Sequence, residues 1–165
     1  MPVIQLETVI HSSMEICFDL SRSINLHVLS TAQTNEHAIE GKTTGLISLN
    51  ESVTWEARHF GVKQRLTSKI TAYNKPFHFR DEQTKGIFKF MQHDHSFEQN
   101  IKQVIMKDSF VFESPFGIAG KVFNTLVLTK YLTKFLKTRN NLIKEFAETE
   151  KWKLVLNETD YNKKT

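Results

Sequence analysis

Single alternation of apolar and polar residues dominates most of the chain, and a three-to-four spacing takes over near its end. Residues 3–10 alternate, with Ile4, Leu6, Thr8 and Ile10 on the more apolar face, which predicts a first strand. His11-Ser12-Ser13 opens a helix that Ser12 or Ser13 can cap, with Ile16, Leu20, Cys17 and Phe18 forming its apolar side. A second short helix is predicted over 22–31, carrying Ile24, Val28 and Leu29. From Asn35 to Glu113 the pattern is that of strands: 37–42, 52–60, 62–73, 77–82, 87–97 and 101–112. Residues 45–50 form an apolar loop, and Asn74-Lys75-Pro76 is a clear break. Short connections between the later strands predict antiparallel pairing.

The stretch Ser114 to Glu148 changes period. Ser114-Pro115 reads as a helix start, and Ile118, Val122, Leu132, Leu136, Ile143 and Ala147 recur at helical spacing. Lys121, Lys130, Lys134, Lys137, Arg139 and Lys144 are expected to fill the remaining surface. A helix of about thirty residues spans roughly 45 Å, enough to cross a small domain. The predicted class is therefore α+β: a curved antiparallel sheet of about seven strands wrapped around one long C-terminal helix, with two short helices after strand one. A bent sheet and a straight rod do not fill space completely, so a cavity is expected between them. Residues 1–150 are taken as one domain and 151–165 as a tail, either an added strand or loose.

Composition adds limits. The chain has 165 residues, 39% hydrophobic and 24% charged, which fits a globular protein with a sizeable core and excludes a disordered one. Thirteen phenylalanines suggest an aromatic interior or an aromatic-lined pocket. The formal charge of +4 is mild and scattered, so no nucleic-acid partner is expected. Cys17 is the one cysteine, which removes an intramolecular disulfide framework. The start Met-Pro-Val-Ile-Gln-Leu-Glu has no signal-peptide pattern, and no apolar run approaches a membrane span, so a reducing, cytoplasmic setting is expected.

The element order resembles the helix-grip fold of the START and birch-pollen-allergen superfamily, also called SRPBCC. Local phrases carry the resemblance further, to a bacterial ligand-binding branch labelled cyclase/dehydrase-like. They are Val53-Thr54-Trp55-Glu56-Ala57-Arg58-His59-Phe60-Gly61, then Phe79-Arg80-Asp81-Glu82-Gln83 with Gly86-Ile87-Phe88, then His93-Asp94-His95-Ser96-Phe97. Met106-Lys107-Asp108 and Pro115-Phe116-Gly117 with Gly120 follow in order. The sequence departs from the branch at Val104-Ile105, where a Gly-Thr pair is expected. The resemblance implies binding of a lipophilic ligand.

Several residues could carry chemistry. His93 and His95 lie two apart on a predicted strand, so they share a face. Two imidazoles on one face can chelate a metal, with His59 as a candidate third ligand. The alternative, that they hydrogen-bond neighbours or line the pocket, is preferred, and neither metal nor cofactor is assigned. Trp55 and His59 share a face with Val53 and Ala57, giving either an apolar wall with a hydrogen-bonding group or ordinary core. Val104, Met106, Asp108, Phe110 and Phe112 alternate onto one face of the last strand. A buried Asp108 needs a partner, with Arg58, Arg65 or a histidine as candidates, or else a raised pKa. Asp81 is expected to be structural. The glycines 117 and 120 lack the lysine and hydroxyl of a phosphate loop.

The function expected is binding of a small hydrophobic or amphipathic ligand between sheet and helix. Trp55, Phe90, Phe97, Met106 and Phe110 would supply apolar contact, and His59, His93, His95 or Asp108 would orient the ligand. A cyclase or aromatase-type enzyme is the second reading, requiring at least two titratable groups converging in one pocket. A lipid or quinone carrier at a membrane surface is the third. No catalytic residue is assigned, and the oligomeric state is open.

Overall fold

The computed structural model describes residues 1–114 and 127–157. Among the described residues there are seven strands: β1 (Val3–Ile10), β2 (His37–Gly41), β3 (Ser52–His59), β4 (Val62–Asn74), β5 (His78–Lys85), β6 (Phe90–Gln99) and β7 (Val104–Glu113). They form a single open sheet in the order β1-β7-β6-β5-β4-β3-β2, antiparallel at every step. Two short helices, α1 (Met14–Ser21) and α2 (Ile24–Ser30), follow β1, and α3 (Thr129–Ala147) follows the sheet. This is the predicted helix-grip α+β architecture.

Local chemistry explains the element ends. Ser13 Oγ accepts from the Ile16 amide and caps α1, while Ser23 Oγ accepts from the Leu26 amide and caps α2. The two helices are thus separated by a two-residue corner. Irregular pairing at Ala38/Glu40 and at Thr67/Ser68 and Ile70/Ala72 bends the strands, as bulges do. Gly41 ends β2 at a φ of +76°, and a Cβ there would lie 2.2 Å from the Ser52 carbonyl oxygen. Only glycine permits that close approach of backbone to backbone.

The described α3 has 19 residues, and its length of about 28 Å still crosses the sheet. The first turns predicted after Ser114 fall on residues 115–126, outside the described residues, as does the Pro115-to-Gly120 phrase. Leu132, Phe135, Leu136, Ile143 and Phe146 turn inward at helical spacing. Among the described residues no helix is long and apolar enough to cross a membrane. After α3 the chain makes a 3₁₀ turn over Glu150–Leu154, and Trp152, Val155 and Leu156 pack on the core.

Two apolar clusters pack between sheet and helices. One gathers Phe18, Phe79, Phe97, Val104, Met106, Ile143 and Phe146 beneath α1, with Phe18 edge-on to Tyr73, Phe79 and Phe97. The other joins Ile4, Met91, Phe110 and Phe112 to Leu128 and Leu136. On β7, Met106 belongs to the first and Phe110 to the second, and Asp108 stands between them.

Candidate functional site: a polar cluster on the wall of an apolar cavity

A cavity of about 670 Å³ lies between the concave sheet face and α3. Period two places the sheet side: Val53, Trp55, Ala57 and His59 of β3, Leu66, Ser68 and Ile70 of β4, Phe79 and Asp81 of β5, Met91, His93 and His95 of β6, and Phe110 of β7. The helix side comes from Leu128, Tyr131, Leu132, Phe135, Leu136 and Arg139. His27 and Glu36 close a further part of the wall. The His27 ring stacks on Trp55 at 4.2 Å between centroids, and its Nε2 lies 2.8 Å from Glu36 Oε1.

The expected site residues divide cleanly. Trp55, His59, His93, His95 and Phe110 line the cavity. Phe97 and Met106 do not; they are fully buried in the cluster beneath α1, where Ser21 Oγ lies 3.4 Å from Met106 Sδ. Phe90 does not either. It sits opposite Glu113 and is 37% exposed, because the odd positions of β6 face inward and position 90 faces out. Asp108 is buried behind the two histidines rather than on the wall. His59 does not join His93 and His95. Its Nδ1 lies 2.7 Å from the Tyr131 hydroxyl, at the far end of β3. Burial holds the His59 imidazole below its ordinary value.

Strand register builds the polar cluster. Asp81 pairs directly with His93 across β5 and β6, and His95 pairs directly with Asp108 across β6 and β7. The diagonals are closed as well. His93 Nε2 lies 2.9 Å from Asp108 Oδ1, and His95 Nε2 lies 3.2 Å from Asp81 Oδ2. His95 Nδ1 is also 2.9 Å from Asp108 Oδ1, but without hydrogen-bond geometry. The helix completes the set. Asn140 Nδ2 donates to Asp108 Oδ2 at 2.6 Å and approaches Thr8 Oγ1 at 3.3 Å. Arg139 Nη1 is 4.0 Å from Asp108 Oδ1, and Arg139 Nη2 donates to the Ser21 carbonyl at the C-terminal end of α1.

Electrostatics follow from this packing. Burial raises the Asp108 carboxyl, but the hydrogen bond from His93 and the adjacent His95 ring outweigh it and hold the group well below the carboxylate range. Asp81 is likewise depressed: burial opposes ionisation, and His95 and His93 overcome it. Burial lowers both histidines. It prevails at His93, while at His95 the two aspartates prevail and raise the value. Arg139 is pulled down by burial. Among the described residues, Arg139 Nη1 and Gln64 Oε1 are buried without a hydrogen-bond partner, and both residues line the cavity.

Histidine partners for Asp108 were among those expected from sequence, and they are the ones found. Arg65 instead pairs with Glu56, and Arg58 bonds the Gly61 carbonyl. Arg139 and Asn140 were missed, since a charged residue on a basic helix reads as surface. They are 7% and 2% exposed. The signal that could have found them is spacing, because Arg139 lies three after Leu136 and four before Ile143, on the apolar stripe.

No protein-family model matches the sequence, and none of the curated proteins matches it. Solved structures are similar in fold. A protein of Thermus thermophilus is 14% identical with a TM-score of 0.68, covering 86% of this chain and 97% of that one. Ginseng major latex-like protein 151 from Panax ginseng is 16% identical with a TM-score of 0.66, over 90% and 98% of the two chains. A START superfamily protein from Mycobacterium smegmatis is 9% identical with a TM-score of 0.66, over 87% and 98%. The chain has the helix-grip fold that the START-type and plant proteins share.

Proposed function

We propose that the protein binds a small amphipathic molecule in the cavity between sheet and α3. One observation carries this reading: an apolar space of about 670 Å³ has buried polar atoms, Arg139 Nη1 and Gln64 Oε1, with their hydrogen-bonding capacity unused on its wall. A space of that size falls within the range of small-molecule sites, about 300–1,000 Å³. Trp55, Ile70, Leu66, Phe110 and Leu136 would take the apolar part of the ligand, at about 25 cal/mol per Å² of surface removed from water. Arg139, Gln64 and the Asp81/His95 pair would take its polar end, since leaving such groups unpaired costs about 1–3 kcal/mol each.

The test is a titration with N-phenyl-1-naphthylamine, an apolar dye that brightens out of water. Saturable one-to-one enhancement is expected. In a Trp152→Phe protein, whose remaining tryptophan is Trp55, emission should change in step with it. A dye signal that never saturates would sink the reading. Native mass spectrometry of protein from its own host would then show the ligand class as a retained adduct.

The enzymatic reading keeps one specific support: the ligand atoms of Asp81, His93 and His95 lie within 4.8 Å of one another beside the cavity. Groups so placed can pass a proton to and from a bound enolisable ketone, as a cyclase of this fold would require. Isotope exchange of the α-protons of a bound diketone, abolished by Asp81→Asn, is the outcome expected of it. Exchange no faster than in buffer removes it.

A further inference from the structure

We propose that Asp81, His93 and His95 bind a divalent first-row transition-metal ion on the cavity wall. His93 Nδ1 and His95 Nε2 point to the same carboxylate oxygen, Asp81 Oδ2, at 3.9 and 3.2 Å. An ion about 2.1 Å from each donor places neighbouring donors roughly 3.0 Å apart at right angles and 3.4 Å apart in a tetrahedron. The His95–Asp81 pair already has that spacing, while His93 Nδ1 must close on Asp81 by roughly 0.5 Å or more, and all three ligand atoms lie within 4.8 Å of one another. Two imidazoles and one carboxylate on one side of an ion leave its other positions free, and here that side is the cavity.

The surroundings are those a metal-binding histidine needs. An imidazole that gives one nitrogen to a metal keeps its proton on the other, and a carboxylate behind it fixes that tautomer. Asp108 does this for His93, whose Nε2 hydrogen-bonds its Oδ1 at 2.9 Å, and it lies as close to His95 Nδ1, at 2.9 Å, though without hydrogen-bond geometry there. Asn140 holds the second oxygen of Asp108 at 2.6 Å, so the backing carboxylate cannot rotate away without losing that bond. The rings are also packed in place. Phe79 stacks on His95 at 4.2 Å, and Phe110 stands edge-on to His93 at 5.1 Å. Rigid donors reduce the entropy lost when the ion binds.

Charge sets the ligand class. Asp81 and Asp108 face Arg139, and with neutral imidazoles two carboxylates against one guanidinium leave one negative charge. Glu36 also acts on Arg139 and is paired with His27. A dication bound there leaves one positive charge. An anionic oxygen donor from the cavity, such as a carboxylate, phenolate or enolate, then restores balance. The site would thus prefer an amphipathic ligand with that kind of head.

Chelator-treated protein is titrated with Co²⁺ and with Zn²⁺. One equivalent should bind, Co²⁺ giving visible absorption of a nitrogen- and oxygen-coordinated ion, and Zn²⁺ should raise the thermal midpoint of the unmutated chain. Asp81→Asn and His95→Gln should abolish stoichiometric binding, and Asp108→Asn should weaken it about 10–100-fold. His78→Gln, on the outer face of the sheet, should bind as the parent does. Absence of stoichiometric binding and of a Zn²⁺-dependent midpoint shift in the parent chain overturns the proposal. So does binding that survives Asp81→Asn. A chain that takes no metal but still saturates with N-phenyl-1-naphthylamine refutes the metal site and leaves the ligand reading standing.

Discussion

Asn140 on α3 donates to Asp108 on β7 at 2.6 Å, across 32 positions of sequence, with both residues 2% exposed. The bond rivets helix to sheet at the point where the apolar clusters meet. Asn140→Leu removes the donor and leaves a buried carboxylate oxygen short of a partner, a loss of about 1–3 kcal/mol. A lower urea midpoint with an unchanged m-value is expected. Equal stability would show that water or a neighbour replaces the amide without cost.

Ala57 of β3 lines the cavity from the sheet side. Ala57→Phe puts a ring into empty space rather than into packed core, so the overpacking cost of about 1–3 kcal/mol should be largely avoided. The variant should fold, and its affinity for N-phenyl-1-naphthylamine should fall at least about tenfold, equal to about 1.4 kcal/mol. Unchanged dye affinity would place the dye elsewhere.

The outer face carries a carboxylate with a predictable acid response. Asp94 lies 2.7 Å from His78 Nε2, 2.8 Å from Arg80 Nε and 2.9 Å from Gln92 Nε2. Burial raises its pKa, but these three bonds outweigh burial and the net shift is downward. A depressed carboxyl contributes stability above its unfolded pKa, about 3.9, and loses it as pH falls through the lower folded value. Denaturation midpoints of Asp94→Asn should therefore fall less steeply below pH 4 than those of the parent, and differ from it by a constant amount above pH 5. Parallel curves throughout would refute the assignment.

Cys17 is fully buried on α1, and burial, reinforced by Glu148, pushes its thiol up to about 12. At pH 8 almost no thiolate is present and no reagent reaches it. Ellman's reagent should leave native protein unlabelled and label one thiol once urea unfolds it. Rapid labelling of the native chain would reveal opening of α1.

At Gly41 the left-handed backbone and the nearby Ser52 carbonyl oxygen both exclude a side chain. Gly41→Ala should cost more than about 1 kcal/mol, because relief of either constraint moves β2 away from β3. A thermal midpoint equal to the parent's would mean that this edge of the sheet adapts freely.

The alternation along residues 3–10, the inward stripe from Val104 to Phe112 and a serine cap before α1 were legible from the chain alone, since each depends on neighbours within a few residues, whereas the Ser23 cap of α2 was not singled out. That local grammar was enough for element order, and through element order for a bent sheet closing on one helix. It also placed His93 and His95 on one face. Which polar side chains would be buried together was a different matter. Burying Arg139 is tolerable only because the Ser21 carbonyl and Asp108 arrive beside it from other elements, and no local pattern records that arrival. Phe90 and Phe97 differ in parity, so alternation along β6 already turns one outward, but that the other packs under α1 was decided by the fold. The meeting of Asp81 with both histidines likewise depended on β5 lying next to β6 in one register. Periodicity is a property of the chain, whereas the site is a product of long-range pairing, and only the folded structure sets that.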